Sequence, residues 1–176
     1  ADDDEMRKLI AFARVGNDIF ISARYISSAA DEAFGCGSSA YDLAFFSVSD
    51  LDEGARFSLN DPPFGDTLRY RYPGKTFGSY FSTIDSSTTE ILGYDESGRP
   101  NFIHLRTGKG NFYVHLEPLA FCNYFLLHKD NISYYEKALS VINPGVKKIV
   151  WDEYYLYKKG EQVNKPKNEG WLSVLF

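Results

Sequence analysis

Hydrophobic and polar positions alternate most regularly between Ile91 and Glu117, in the stretch ILGYDESGRPNFIHLRTGKGNFYVHLE. Residues 91–94, 102–106 and 112–116 read as strands, whose successive side chains point to opposite faces. Polar residues 95–100 and the glycine-flanked Thr107-Gly108-Lys109-Gly110 separate them, which predicts an antiparallel meander. Upstream the period changes. Met6, Leu9, Ile10 and Ala13 share one face of a helix over residues 4–15, with Asp2 to Asp4 at its start and Gly16-Asn17 at its end. The short apolar run 18–23 suits a buried parallel strand, and residues 25–34 predict a second helix closed by Gly35-Cys36-Gly37.

Residues 42–48, 55–59, 67–72 and 79–84 predict further strands, punctuated by Pro62-Pro63 and Pro73-Gly74. Short helices are expected over 121–127 and 131–142, and a last strand over 148–151. Helix, strand, helix at this spacing predicts an α/β fold with three layers: a mixed, mostly parallel sheet with the meander added to it. A strand should precede the first helix and is missing, so the chain is expected to begin inside its domain. That domain is expected to cover residues 1–157, with a polar loop and a juxtamembrane-like segment over 158–176.

Composition refines this picture at a few points. Aromatic residues make up 16% of the chain, with 14 Phe and 13 Tyr, which predicts aromatic core packing and hydroxyls held at its edge. The formal charge of −5 argues against a nucleic-acid partner, which would require a basic face. The local basic run Arg69-Tyr70-Arg71-Tyr72 places both arginines on one face of a strand and both tyrosines on the other. No apolar run long enough to span a bilayer occurs. The ending Gly170-Trp171-Leu172-Ser173-Val174-Leu175-Phe176 is expected to lead onward, with Trp171 marking a membrane interface. Membrane contact is thus expected only through segments outside this chain.

Cys36 and Cys122 are compatible with a disulfide or with buried thiols. The histidines His104, His115 and His128 lack zinc-site spacing with them, so no metal or other cofactor is expected. Gly108-Lys109-Gly110 precedes a strand rather than a helix, which makes it a hairpin turn and not a phosphate loop. Ser22 stands at a strand-to-helix junction without flanking glycines, and Cys36 follows a helix, so neither has the setting of a nucleophile elbow. His115 and Glu117 fall two apart at a strand end, on one face and within reach of each other. Asp152 and Glu153 follow the expected last strand, where ligands of open α/β sheets sit, but adjacent carboxylates on a strand point apart.

Taken in order, Gly108-Lys109-Gly110, His115-Leu116-Glu117-Pro118-Leu119-Ala120-Phe121, Asn123-Tyr124, Asp130-Asn131 and Trp151-Asp152-Glu153-Tyr154 form a set. The set resembles the DUF4350 family of bacterial envelope proteins over residues 108–155. The resemblance implies a fold similar to class I glutamine amidotransferases, held beside transmembrane helices and facing the periplasm, anchored to the inner membrane. Tyr155 and Leu156 stand where many relatives place His, and no elbow Cys is present, so the resemblance does not extend to glutaminase chemistry.

The expected function is non-catalytic binding or scaffolding with other envelope proteins, with Arg24, Asn123, Asp152 and Glu153 as ligand-binding candidates. One alternative is an amidase or hydrolase using Ser22 or Cys36 with His115 and Glu117. A second is a carbohydrate-binding module, which would need exposed coplanar rings.

Overall fold

The computed structural model describes residues 1–39, 55–65, 69–74 and 76–152. The chain divides into two units, Ala1–Asn143 and Pro144–Phe176. In the second, the described residues 144–152 form a turn at Pro144-Gly145 and otherwise irregular backbone. The strand expected over 148–151 is therefore not formed there. Its Ile149, Val150 and Trp151 are exposed, and a strand needs a paired neighbour to satisfy its backbone. The strand expected over 42–48 lies outside the described residues.

In the first unit, helix α1 (Asp3–Arg14) starts at a capping box in which the Asp2 side chain accepts from Glu5 N–H and Glu5 reaches back to the Asp2 backbone. The strands are β1 (Asp18–Ser22), β2 (Cys36–Ser39), β3 (Arg56–Leu59), β4 (Arg69–Arg71), β5 (Tyr80–Ile84), β6 (Thr89–Asp95), β7 (Pro100–Thr107) and β8 (Gly110–His115). Helix α2 (Ser28–Phe34) is capped by the Ser27 side chain and ends at left-handed Gly35. A 3-10 turn (Pro118–Phe121) and the helices α3 (Asn123–Leu126) and α4 (Ile132–Leu139) follow the meander.

Among the described residues the main sheet has the order β1-β8-β7-β6-β3-β4, and β2 pairs with β5 in a separate small sheet. This corrects the expected architecture. The fold is mostly β, a curled half-barrel sheet with few helices, and not a three-layer glutamine amidotransferase-like α/β domain. In the main sheet β1 runs parallel to β8, and the other pairs are antiparallel. The helix–strand–helix signal at the N-terminus is real, but it supplies a single parallel pairing. The chain leaving α2 does not go straight back into the main sheet: Cys36-Gly37, expected to close a helix, begins β2 of the small sheet instead.

The sheet buries both faces. On one, Ile103, Leu105, Phe112, Val114 and Leu116 pack with Met6, Ala13, Ala30, Phe34 and Phe81. On the other, Phe57, Tyr70, Tyr72, Phe102 and Tyr113 pack with Phe125, Tyr134 and Ala138 from the later helices. Each fully buried Phe contributes about 1.5–3 kcal/mol relative to exposure. The aromatic excess is spent here: Tyr134 meets Tyr70 edge-on at 5.0 Å and Phe125 at 5.6 Å. Arg69 and Arg71 are exposed while Tyr70 and Tyr72 are buried, as the alternation predicts.

The turn Gly108-Lys109-Gly110 is a packing seam. A Cβ on Gly110 would lie 2.1 Å from the Asn17 carbonyl oxygen and 2.4 Å from that of Ala13. Gly108 has φ +63°, and a Cβ there would lie 2.9 Å from the Arg14 backbone, whose carbonyl accepts Lys109 N–H at 3.2 Å. Glycine here lets the end of α1 rest directly on the hairpin.

Candidate functional site

The polar centre of the molecule lies at the carboxyl end of β8. Register pairs Ser22 of β1 with His115, and Ala23 N–H donates to the His115 carbonyl at 3.0 Å. Alternation turns His115 onto the aromatic face, where Phe102 and Phe121 each lie 4.9 Å from its ring. The side chain is 0% exposed. Its Nδ1 faces the Glu117 backbone N–H at 3.1 Å, and its Nε2 faces the Tyr134 hydroxyl at 2.7 Å. A backbone N–H can only donate, so Nδ1 is the acceptor and Nε2 carries the proton that it gives to Tyr134. Burial holds the ring neutral by lowering its pKa to about 3. The same burial raises the pKa of the Tyr134 hydroxyl far above its ordinary value.

Glu117 is 1% exposed and has no cationic partner among the described residues. Its carboxylate is cradled by the strap that leads into β5. Phe77 N–H donates to Oε1 at 3.5 Å and Gly78 N–H to Oε2 at 3.2 Å, with Leu119 N–H and the Thr76 side chain adding to them. Desolvation outweighs these bonds and raises the carboxyl pKa to about 7. Arg24 leaves the end of β1 with its guanidinium carbon 4.9 Å from the Phe77 ring centre, and its Nε is buried without a partner. Phe77 therefore touches both groups, by its ring and by its backbone.

The sequence candidates separate. His115 and Glu117 come together as expected, but both ring nitrogens are engaged, so none remains for a nucleophile. Ser22 is exposed at the end of β1. Cys36 is buried on β2, beside Asp31 at 3.9 Å, and burial raises its thiol pKa to about 12, so it is not a thiolate. Both cysteines are free. Asn123 is exposed and lines a shallow depression with Pro73, Tyr124, Leu127 and His128. Asp152 is exposed in the second unit, and Glu153 lies outside the described residues. Tyr124, at the rim of the depression, meets Tyr72 edge-on at 70° rather than coplanar with it. Among the described residues no group of three His, Cys, Asp or Glu is placed to hold a metal, and no helix is long and apolar enough to cross a membrane.

Tyr134 and the strap 76–78 were not visible as site residues. Asn131, at the N-cap of α4, makes no capping bond. Its side-chain amide donates instead to the carbonyls of Arg71 and Phe125, at 2.9 and 3.0 Å.

No family model matches the chain, and no curated protein matches it. Solved structures are similar in part, among them the following. Exo-β-1,4-mannosidase Op5Man5 from Opitutaceae bacterium strain TAV5 is 14% identical with a TM-score of 0.49, over 78% of this chain and 22% of that one. A β-galactosidase from Bacillus circulans sp. alkalophilus is 11% identical with a TM-score of 0.46, over 78% and 21%. Cytoplasmic protein STM1381 from Salmonella typhimurium LT2 is 12% identical with a TM-score of 0.47, over 80% and 61%. The chain thus spans about a fifth of each glycosidase. Likeness this slight carries nothing about activity.

Proposed function

We propose that this chain is a non-catalytic binding or scaffolding domain, facing the cell envelope in a membrane-anchored bacterial protein of the DUF4350 kind. The observation that carries the reading is the closure of the His115–Glu117 centre. Every ring nitrogen and carboxylate oxygen with chemical potential is bonded to the protein itself and shut away from solvent. A general base must reach its substrate's proton, and here the ring would first have to lose Tyr134 or Glu117 N–H. Among its described residues the first unit offers outwardly a depression beside α3, with Leu127 85% and Tyr124 61% exposed at its rim. A shallow, mostly apolar depression rimmed by exposed apolar and aromatic side chains suits a protein partner. The envelope setting rests on the ordered motifs between Gly108 and Tyr155.

The test is affinity capture of the full-length protein from its native membrane, with Leu127→Asp and, as a control on α1, Phe12→Asp. The reading predicts a reproducible set of envelope proteins that is lost with Leu127→Asp and kept with Phe12→Asp. Failure to capture any reproducible partner, or equal loss with both variants, counts against it.

A further inference from the structure

The two edges of the main sheet differ. The β4 edge is three residues long and carries exposed Arg69 and Arg71, features that discourage another strand from adding. The β1 edge, Asp18-Ile19-Phe20-Ile21-Ser22, has no basic residue, proline or bulge. Its backbone directions follow from the bonds at its ends. Asn17 C=O accepts from Asn111 N–H and Ala23 N–H donates to His115 C=O, so the odd-numbered residues face β8. The backbone groups of Asp18, Phe20 and Ser22 therefore point the other way, and among the described residues they bond to nothing.

The order of side chains along this edge is self-complementary about Phe20. Antiparallel pairing with an identical strand puts Phe20 opposite its own copy, Ile19 opposite Ile21, and the Asp18 carboxylate opposite the Ser22 hydroxyl. The outward-facing residues 18, 20 and 22 then fall in the hydrogen-bonded positions, each pair exchanging both N–H···O=C bonds. A two-fold axis through Phe20 satisfies every outward group of both copies at once, as an isologous contact requires. We propose that β1 pairs with β1 of a second copy, joining the two main sheets into one. The proposal is independent of the functional reading above, which concerns a different surface.

The experiment measures mass against concentration by sedimentation on the unsubstituted chain, Ser22→Asp and Ser22→Lys, with amide exchange at Phe20 and Ser22. Ser22→Asp places a carboxylate opposite Asp18 at both ends of the ladder and should weaken the dimer by about tenfold or more. Ser22→Lys places an opposite charge there and should preserve it. Should Ser22→Asp fail to fold, exchange on the unsubstituted chain still decides: the Phe20 and Ser22 amides should slow as concentration rises. A chain monomeric at every concentration overturns the proposal. So does a dimer indifferent to Ser22→Asp, and so does a monomer whose Phe20 and Ser22 amides exchange slowly, since its edge would be covered from within.

Discussion

The two ends of β8 are closed by opposite means. At its start, Gly110 brings backbone against backbone, and closure depends on there being no side chain at all. At its end, His115 and Glu117 bring polar side chains into an apolar interior, and closure depends on each polar atom finding a partner. The first kind fails by steric overlap and ignores pH. The second fails by leaving a buried group unsatisfied, and it answers to protons. The polar pair at this strand end is thus packed into the fold as closely as the glycine turn at the other end.

The comparison breaks most severely at Gly110. Gly110→Ala drives a Cβ into the carbonyls of Ala13 and Asn17, neither of which can turn aside as a side chain could. The expected cost is about 3 kcal/mol or more, read as a drop in denaturant midpoint of the same size at every pH. An unchanged midpoint would show that α1 does not rest on the turn.

The next effect is the pH response of the other end. The folded pKa of Glu117 is raised from 4.5 to about 7, so its contribution is full below 4.5 and is lost as pH rises through 7. The folded pKa of His115 is lowered from 6.5 to about 3, so its contribution is present above 6.5 and is lost as pH falls toward 3. Between pH 4.5 and 6.5 the two slopes oppose each other. Glu117→Gln removes one of them, and stability should then fall on acidification by about 1.4 kcal/mol per pH unit more steeply than in the unsubstituted chain. Parallel pH profiles for the two proteins would contradict the paired closure.

Smaller still is Tyr134→Phe, which keeps the ring packing and orphans the Nε2 proton of His115. The expected loss is about 1–3 kcal/mol, measured by chemical unfolding at neutral pH. The smallest is Leu127→Asp, at an exposed position away from both ends of β8, where stability should change by about 0.5 kcal/mol or less. A large loss there would mean that the rim of the depression belongs to the core.

Legibility in the sequence followed the range of the forces involved. The meander was readable because alternation and turn residues are local: residues 91–116 contain the whole signal for β6, β7 and β8. The acidic start of α1 and the glycine end of α2 were readable for the same reason. Sheet order was not. Nothing near Cys36 announces that it pairs with Ile84 rather than closing a helix, and nothing near β1 says that its parallel partner lies beyond Asn111. His115 and Glu117 were placed together by their spacing, whereas Tyr134 had to be singled out among 13 tyrosines, with only tertiary packing to choose it. The strap at Thr76-Phe77-Gly78 binds through backbone N–H groups, which every sequence carries.

The closed, structural character of the His115 centre is tested most directly by nitrogen-resolved NMR of its imidazole ring. The structure predicts one tautomer, protonated on Nε2, with a slowly exchanging ring proton and no titration from roughly pH 8 to pH 5. A midpoint near the ordinary 6.5, or a ring proton in fast exchange with solvent, would contradict it and reopen His115 as a working base.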